Sequence, residues 1–243
     1  MTDRPMTTPN TRPGEPAPAS AGEPYAYAGS RPSRLLTYRD DGPIACLLGR
    51  TAQGRLPPLL PALAAAIITL LASVTGAGGP AGGHGASVLL VPVLVLLLAG
   101  PGSAHPHTGR LDWVAPNLIR VVEYGYLAAA GFSHGVPKPL VFALLCVLAY
   151  HHYDTAYRTR QGLCPSTWAV RAGLGWDGRM LLAGLGAATH TAPALYAVLT
   201  CYLGVLFVAE TILFWRHAAR RDGVEVDLED DEDEAPIAVR PRS

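Results

Sequence analysis

The chain has 243 residues, 49% of them hydrophobic, and a formal net charge of zero. That zero conceals a basic body, with fourteen Lys or Arg against seven Asp or Glu over residues 34–221, and an acidic tail with nine of the nineteen acidic residues between Asp222 and Glu234. The four cysteines (Cys46, Cys146, Cys164, Cys201) stand singly with no CxxC pair, which excludes a zinc ribbon or a disulfide framework.

Residues 1–33 are rich in Pro, Ser and Thr and lack the basic-then-apolar pattern of a signal peptide. They hold too little apolar surface to offset ordering entropy, so disorder is expected. Residues 34–55 read as an interfacial juxtamembrane element. In "RDDGPIACLLGR", Asp41 is a candidate N-cap for a helix starting near Pro43, and Gly49 is a good stop. Too short to cross a bilayer, this helix would lie along the surface with Arg34, Arg39, Arg50 and Arg55 toward lipid phosphates.

Residues 56–221 form the membrane domain, with apolar segments at 56–74, 86–100, 111–131, 139–152, 179–191 and 193–215. A spanning helix needs about 20 mostly apolar residues. The first and last segments meet this, while the second and fifth are short. The segments are apolar around most of their circumference, which disfavours a soluble bundle. The expected fold is all-α and integral to the membrane: about six transmembrane helices in a bundle, preceded by a short interfacial helix. Arginines gather before the first segment and after the second, fourth and sixth, whereas the opposite loops carry only Lys138 as a full charge. The positive-inside rule then places both termini in the cytoplasm. Residues 222–243 complete the chain as an acidic disordered tail.

Ionisable groups at membrane depth are costly and tend to face a protein interior or a wet cavity. In the third segment Asn117, Arg120, Glu123 and Tyr124 share about a third of the helix circumference. They read either as an internal Arg120–Glu123 salt bridge or as a phosphate-binding Arg120 oriented by Glu123. The fourth segment ends in "AYHHYDTAYRTRQG", where His151, Asp154 and Arg158 stand at i, i+3 and i+7 and His152 points away. The imidazole of His151 can serve as an acid or a base, Asp154 can orient it or act as a base, and Arg158 can grip a phosphate with two N–H groups. Interfacial anchoring accounts for Tyr153, Tyr157, Arg158 and Arg160 but leaves Asp154 unexplained. Asp177, in "GLGWDGRML", either caps its own helix or, with Arg179, marks an anion-attracting helix end. Glu210 is expected to pair with an arginine from another helix. The candidate acid–base residues are therefore Asp154, His151 and Glu123, and the candidate phosphate-binding residues are Arg158, Arg120 and Arg179. Asp154 and Asp177 are candidate ligands for Mg²⁺, which often takes one or two carboxylates plus substrate phosphate.

The stretches "YRDDGPIACLLGR", "TGRLDWVAPNLIRVVEYGY", "AYHHYDTAYRTRQG", "GWDGRML" and "VLFVAETILFW" together resemble an uncharacterised bacterial membrane domain. That domain occurs C-terminal to nucleotidyltransferase and CDP-alcohol phosphotransferase domains in fusion proteins. The resemblance runs over about residues 36–218, with the motifs in the same order. It implies a setting in phospholipid or polar-lipid synthesis. The chain lacks the aspartate run that defines CDP-alcohol phosphotransferases; "YDTAYR" and "WDGR" share pieces of it without its spacing. No catalytic residue carries over.

Two functions follow as expectations. One is a membrane transferase acting on a phosphate-bearing lipid or isoprenoid at the cytoplasmic face, since positioning and charge stabilisation are most of what phosphoryl transfer requires. The other is a non-catalytic partner or scaffold for a separate membrane phosphotransferase. Membrane lipids are the expected partners in both, and nucleic acid is not. A transporter is disfavoured, because the outer halves of the segments lack polar residues along a path.

Overall fold

The computed structural model describes residues 31–75, 86–106, 109–163 and 167–221, and these are all-helical. In chain order they form α1 (Arg31–Arg39), α2 (Pro43–Ala52), α3 (Leu59–Thr75), α4 (Ala86–Ala99), a 3₁₀ segment (Gly100–Ala104), α5 (Val114–Ser133), α6 (Lys138–Arg160), α7 (Thr167–Ala172), α8 (Gly175–Ala188) and α9 (Ala192–Arg221). Cys164 and the acidic tail lie outside the described residues, as does most of the segment expected to be disordered; Arg31–Ser33 instead open α1.

The six apolar segments correspond to α3, α4, α5, α6, α8 and α9. Short connections at 134–137 and 189–191 return α5 into α6 and α8 into α9. α5 packs on α3 and α8, α4 on α8, and α6 on α9. α1 lies against α5 and α6, while α2 sits on the 3₁₀ segment and α8. The core is built from Ile119, Leu127, Leu144, Leu148, Met180, Leu203 and Phe207, all buried. Polar groups inside it are tied down. Tyr126 Oη donates to the Val88 carbonyl at 3.1 Å and Tyr196 Oη to the Leu127 carbonyl at 2.7 Å. Thr69 and Ser73 donate to carbonyls four residues back, the usual refuge of a hydroxyl in an apolar helix.

The outside is as apolar as the inside. Leu60, Leu70 and Val74 on α3, Leu90 and Leu97 on α4, and Val198 and Val205 on α9 are exposed. Meanwhile Asp40, Glu123, Arg158, Asp177, Arg179 and Glu210 are buried. Ala192–Arg216 within α9 is the one helix among the described residues long and apolar enough to cross a membrane, and 28% of its apolar window is buried within the chain. Leu59–Thr75 and Val88–Ala104 are shorter apolar helices. At about 1.5 Å per residue, the 17 residues of α3 extend roughly 25 Å.

One close approach organises the polar end. Gly175 has φ +64°, and a Cβ there would strike the backbone of Gly42. A Cβ on Gly42 would in turn strike Asp177 and the Leu174 carbonyl. Two residues without side chains therefore let the start of α2 meet the start of α8, and the Trp176 N–H donates to the Asp40 carbonyl across this seam at 3.1 Å.

Candidate functional site: a buried ion cluster between two clefts

Asp40 is the hub of the polar end. It sits in the α1–α2 junction at φ +52°, a left-handed conformation that Asp tolerates better than most residues. Its Oδ2 accepts from Arg179 Nη2 at 2.6 Å and lies 3.3 Å from His152 Nε2, and its Oδ1 is 3.7 Å from His151 Nε2. Arg179 also donates from Nε to Glu123 Oε1 at 2.6 Å and from Nη1 to the Gly173 carbonyl at 2.9 Å. Burial alone would raise the Asp40 carboxyl. The Arg179 charge and the hydrogen bonds from both histidines outweigh it and hold the carboxyl well below the usual carboxylate range.

The two histidines differ in what they meet. His151 stacks on Phe207 with ring centroids 3.8 Å apart. It lines a cleft of about 350 Å³ together with Asp40, Asp41, Cys46, Ser103 and Thr155. His152 lies 2.6 Å through Nδ1 from Tyr124 Oη and 3.3 Å through Nε2 from Asp40. If Nε2 carries the proton toward Asp40, Nδ1 accepts from the tyrosine, giving a Tyr124–His152–Asp40 chain. His152 also borders a second cleft, of about 410 Å³, shared with Tyr38, Trp113, Asn117, Arg120 and Arg160. The hub thus stands between an acidic cleft and a basic one.

Two neighbouring clusters fasten this end of the molecule. Arg158 donates from Nη1 and Nη2 to both oxygens of Glu210, at 2.7 and 2.6 Å, bonds Asp154 and Thr211, and lies 4.4 Å from the centre of the Phe214 ring. Asp177 accepts from the backbone N–H groups of Gly42, Ile44 and Ala45 at 2.7, 3.1 and 3.1 Å. α2 has no capping side chain at its own N-cap, Gly42, so a residue 135 positions away caps it.

A family model matches residues 31–233, and its description is a family of unknown function, DUF5941. The chain belongs to that family. No curated protein and no solved structure matches it.

In this DUF5941 chain, the residues singled out from sequence converge on one end but divide into separate assemblies. Glu123 and Arg179 join the Asp40 hub, and His151 faces it, so the carboxylate beside His151 is Asp40 and not Asp154. Asp154 and Arg158 belong to the latch between α6 and α9, where Glu210 meets its arginine from another helix as expected. Arg120 does not pair with Glu123; its Nη2 donates to the Tyr38 carbonyl at 2.6 Å. Asp177 caps α2 and not its own helix, and the cap anticipated from Asp41 is absent. Asp41 instead receives Arg39 Nε at 2.8 Å and the Trp176 indole N–H at 2.8 Å. Asp154 and Asp177, named as Mg²⁺ ligands, are engaged in different clusters. Among the described residues no group of three or more His, Cys, Asp or Glu side chains is placed to hold a metal ion.

Asp40 is the hub residue of this chain that sequence reasoning missed. The signal was available, in two adjacent acids before Gly-Pro within a basic stretch. A cap needs only one of them.

Proposed function

We propose that this DUF5941 chain is a multi-pass membrane protein of about six spans, both termini cytoplasmic, that handles a phosphate-bearing lipid or isoprenoid in phospholipid or polar-lipid biosynthesis. One observation carries the reading: the ionisable groups gather at one end of a helical bundle whose flanks expose Leu and Val. In water such a distribution would leave large apolar patches uncovered; in a bilayer it places the polar end at the headgroups. The arginine bias of the loops favours the cytoplasmic leaflet.

Within this reading His151 is the acid–base candidate that borders a cleft, and Asp40 orients it. Glu123, fully buried, holds Arg179, which holds Asp40, so both act as positioning groups. Asp154 and Arg158 set the angle at which α6 meets α9. Comparative lipidomics of a deletion strain, complemented with the wild-type chain or with His151→Ala, tests the proposal. An altered lipid profile restored by wild type and not by His151→Ala is expected. An unchanged profile in the deletion strain ends the reading.

A second reading is favoured by the engagement of Arg158 and Arg179, whose terminal N–H groups are largely committed to internal carboxylates. Such groups suit a rigid, non-catalytic partner that seats a membrane phosphotransferase. Under it, His151→Ala restores the lipid profile as well as wild type does, and a phosphotransferase co-purifies in mild detergent.

A further inference from the structure

We infer that the cleft between α1, α5 and α6 is a binding site for a phosphate monoester, seated by Arg120 and Arg160. The inference rests on the membrane reading above and gives its polar site a specific seat, away from Arg158 and Arg179.

The argument starts from how each guanidinium is spent. Arg158 and Arg179 are buried and each bonds carboxylates. Arg120 is half-buried and makes a single hydrogen bond, to the Tyr38 carbonyl, with no carboxylate ion pair among the described residues. A guanidinium has five N–H donors, so Arg120 keeps several to offer. Arg160, exposed in the last turn of α6, has no carboxylate ion pair among the described residues either. Both line the 410 Å³ cleft, and none of its lining residues is acidic. The carboxylates behind it, Asp40 and Glu123, are both bonded by Arg179, and neither lines the cleft.

The remaining walls suit the same ligand. Trp113, Pro116 and Asn117 bring the first turn of α5, the positive end of its dipole, along the cleft. Trp113 and Tyr153 are exposed aromatic rings at its rim, the residue types that settle at headgroup level. His152, fixed between Tyr124 and Asp40, forms a firm wall. The volume lies within the roughly 300–1,000 Å³ typical of small-ligand sites. Two arginines without carboxylate partners on one side of such a space match the oxygens of a monoester phosphate, which carries close to two negative charges.

The phosphate can belong to a lipid headgroup or to a soluble metabolite, and the test separates them. The full chain is placed in nanodiscs of phosphatidylcholine with or without phosphatidic acid, and retained lipid is counted by native mass spectrometry. In parallel, glycerol 3-phosphate is titrated calorimetrically into the phosphatidylcholine discs. Selective retention of phosphatidic acid identifies a lipid headgroup, and binding of glycerol 3-phosphate identifies a soluble monoester. Either binding should fall about tenfold in Arg120→Gln and in Arg160→Gln, survive Arg120→Lys in large part, and be unchanged in Arg171→Gln, an exposed arginine outside the cleft. Among the described residues the exposed Arg160 side chain makes no hydrogen bond or ion pair, so its variant keeps the test open if Arg120→Gln misfolds. The inference is overturned if neither ligand binds, if Arg160→Gln binds as wild type, or if Arg171→Gln loses as much. Cleft binding with an unchanged lipid profile in the deletion strain would retire the biosynthetic reading and leave the phosphate seat standing. An altered profile without cleft binding would do the reverse.

Discussion

Arg179 Nη2 stands 2.6 Å from Asp40 Oδ2, joining residues 139 positions apart in the chain. The same guanidinium holds Glu123 and the Gly173 carbonyl, so one side chain of α8 ties down the α1–α2 junction, α5 and the start of α8 itself. Removing one partner of a buried pair leaves the other charge uncompensated, at a cost of about 3–5 kcal/mol. Arg179→Gln is therefore expected to lower the thermal midpoint in detergent more than any surface arginine substitution, measured by tryptophan fluorescence. An Arg179→Gln chain that melts within a degree or so of wild type would show that the hub is not structural.

Asp40 gives the hub a defined pH dependence. Its folded pKa is depressed, so its stabilising contribution is present above the unfolded value of about 3.9 and lost as pH falls through the lower folded value. Stability should hold through mildly acidic pH as far as this carboxyl is concerned and drop below about pH 4. Asp40→Asn should be less stable at neutral pH, with part of the acid-side drop removed. Parallel pH profiles for the two chains would exclude Asp40 as the group responsible.

The cap on α2 comes from another helix. Asp177→Ala deprives three backbone N–H groups of their acceptor at once and should cost at least the roughly 1–2 kcal/mol of an ordinary N-cap. Asp177→Asn retains one acceptor oxygen and should cost less. Hydrogen exchange should localise the loss to the first turn of α2, and protection unchanged there would contradict the assignment.

In the latch, Glu210 takes two hydrogen bonds from Arg158 and is the more buried acid, whereas Asp154 is partly exposed. Glu210→Ala should therefore destabilise by several times as much as Asp154→Ala, about 3 kcal/mol against about 1. A double-mutant cycle with Arg158→Met measures both couplings. Equal couplings would make Asp154 the equal partner that the ranking denies.

The proposed six-span topology makes its own prediction. With the native cysteines replaced by serine, a cysteine at Lys138 should react with an impermeant maleimide in intact cells, and one at Arg160 only after permeabilisation. The reverse pattern would invert the protein, and labelling of both in intact cells would remove α6 from the membrane.

α2 and the six apolar helices were legible from sequence because hydropathy marks them and because Pro and Gly punctuate the connections, whereas the short polar helices α1 and α7 carry no such mark. The position of Glu210 against an arginine was legible too, since a buried carboxylate requires a partner. What was not legible was which partner each charge takes. Helical periodicity relates residues on one element, so it grouped Arg120 with Glu123 and His151 with Asp154. In the fold Glu123 turns to Arg179 of α8, and His151 to Asp40 of the α1–α2 junction. Asp177 misled for a related reason: a side chain at a helix start looks like that helix's own cap, and only the Gly42–Gly175 approach puts α2 within its reach.

α6 runs without interruption from Lys138 to Arg160. Its last three turns carry His151 and His152 to the hub, Asp154 and Arg158 to α9, and Arg160 to the basic cleft. A helix is stiff over that length, so these contacts share one axle. One helix therefore borders both clefts and the latch, and a rigid shift of α6 would reach all three at once.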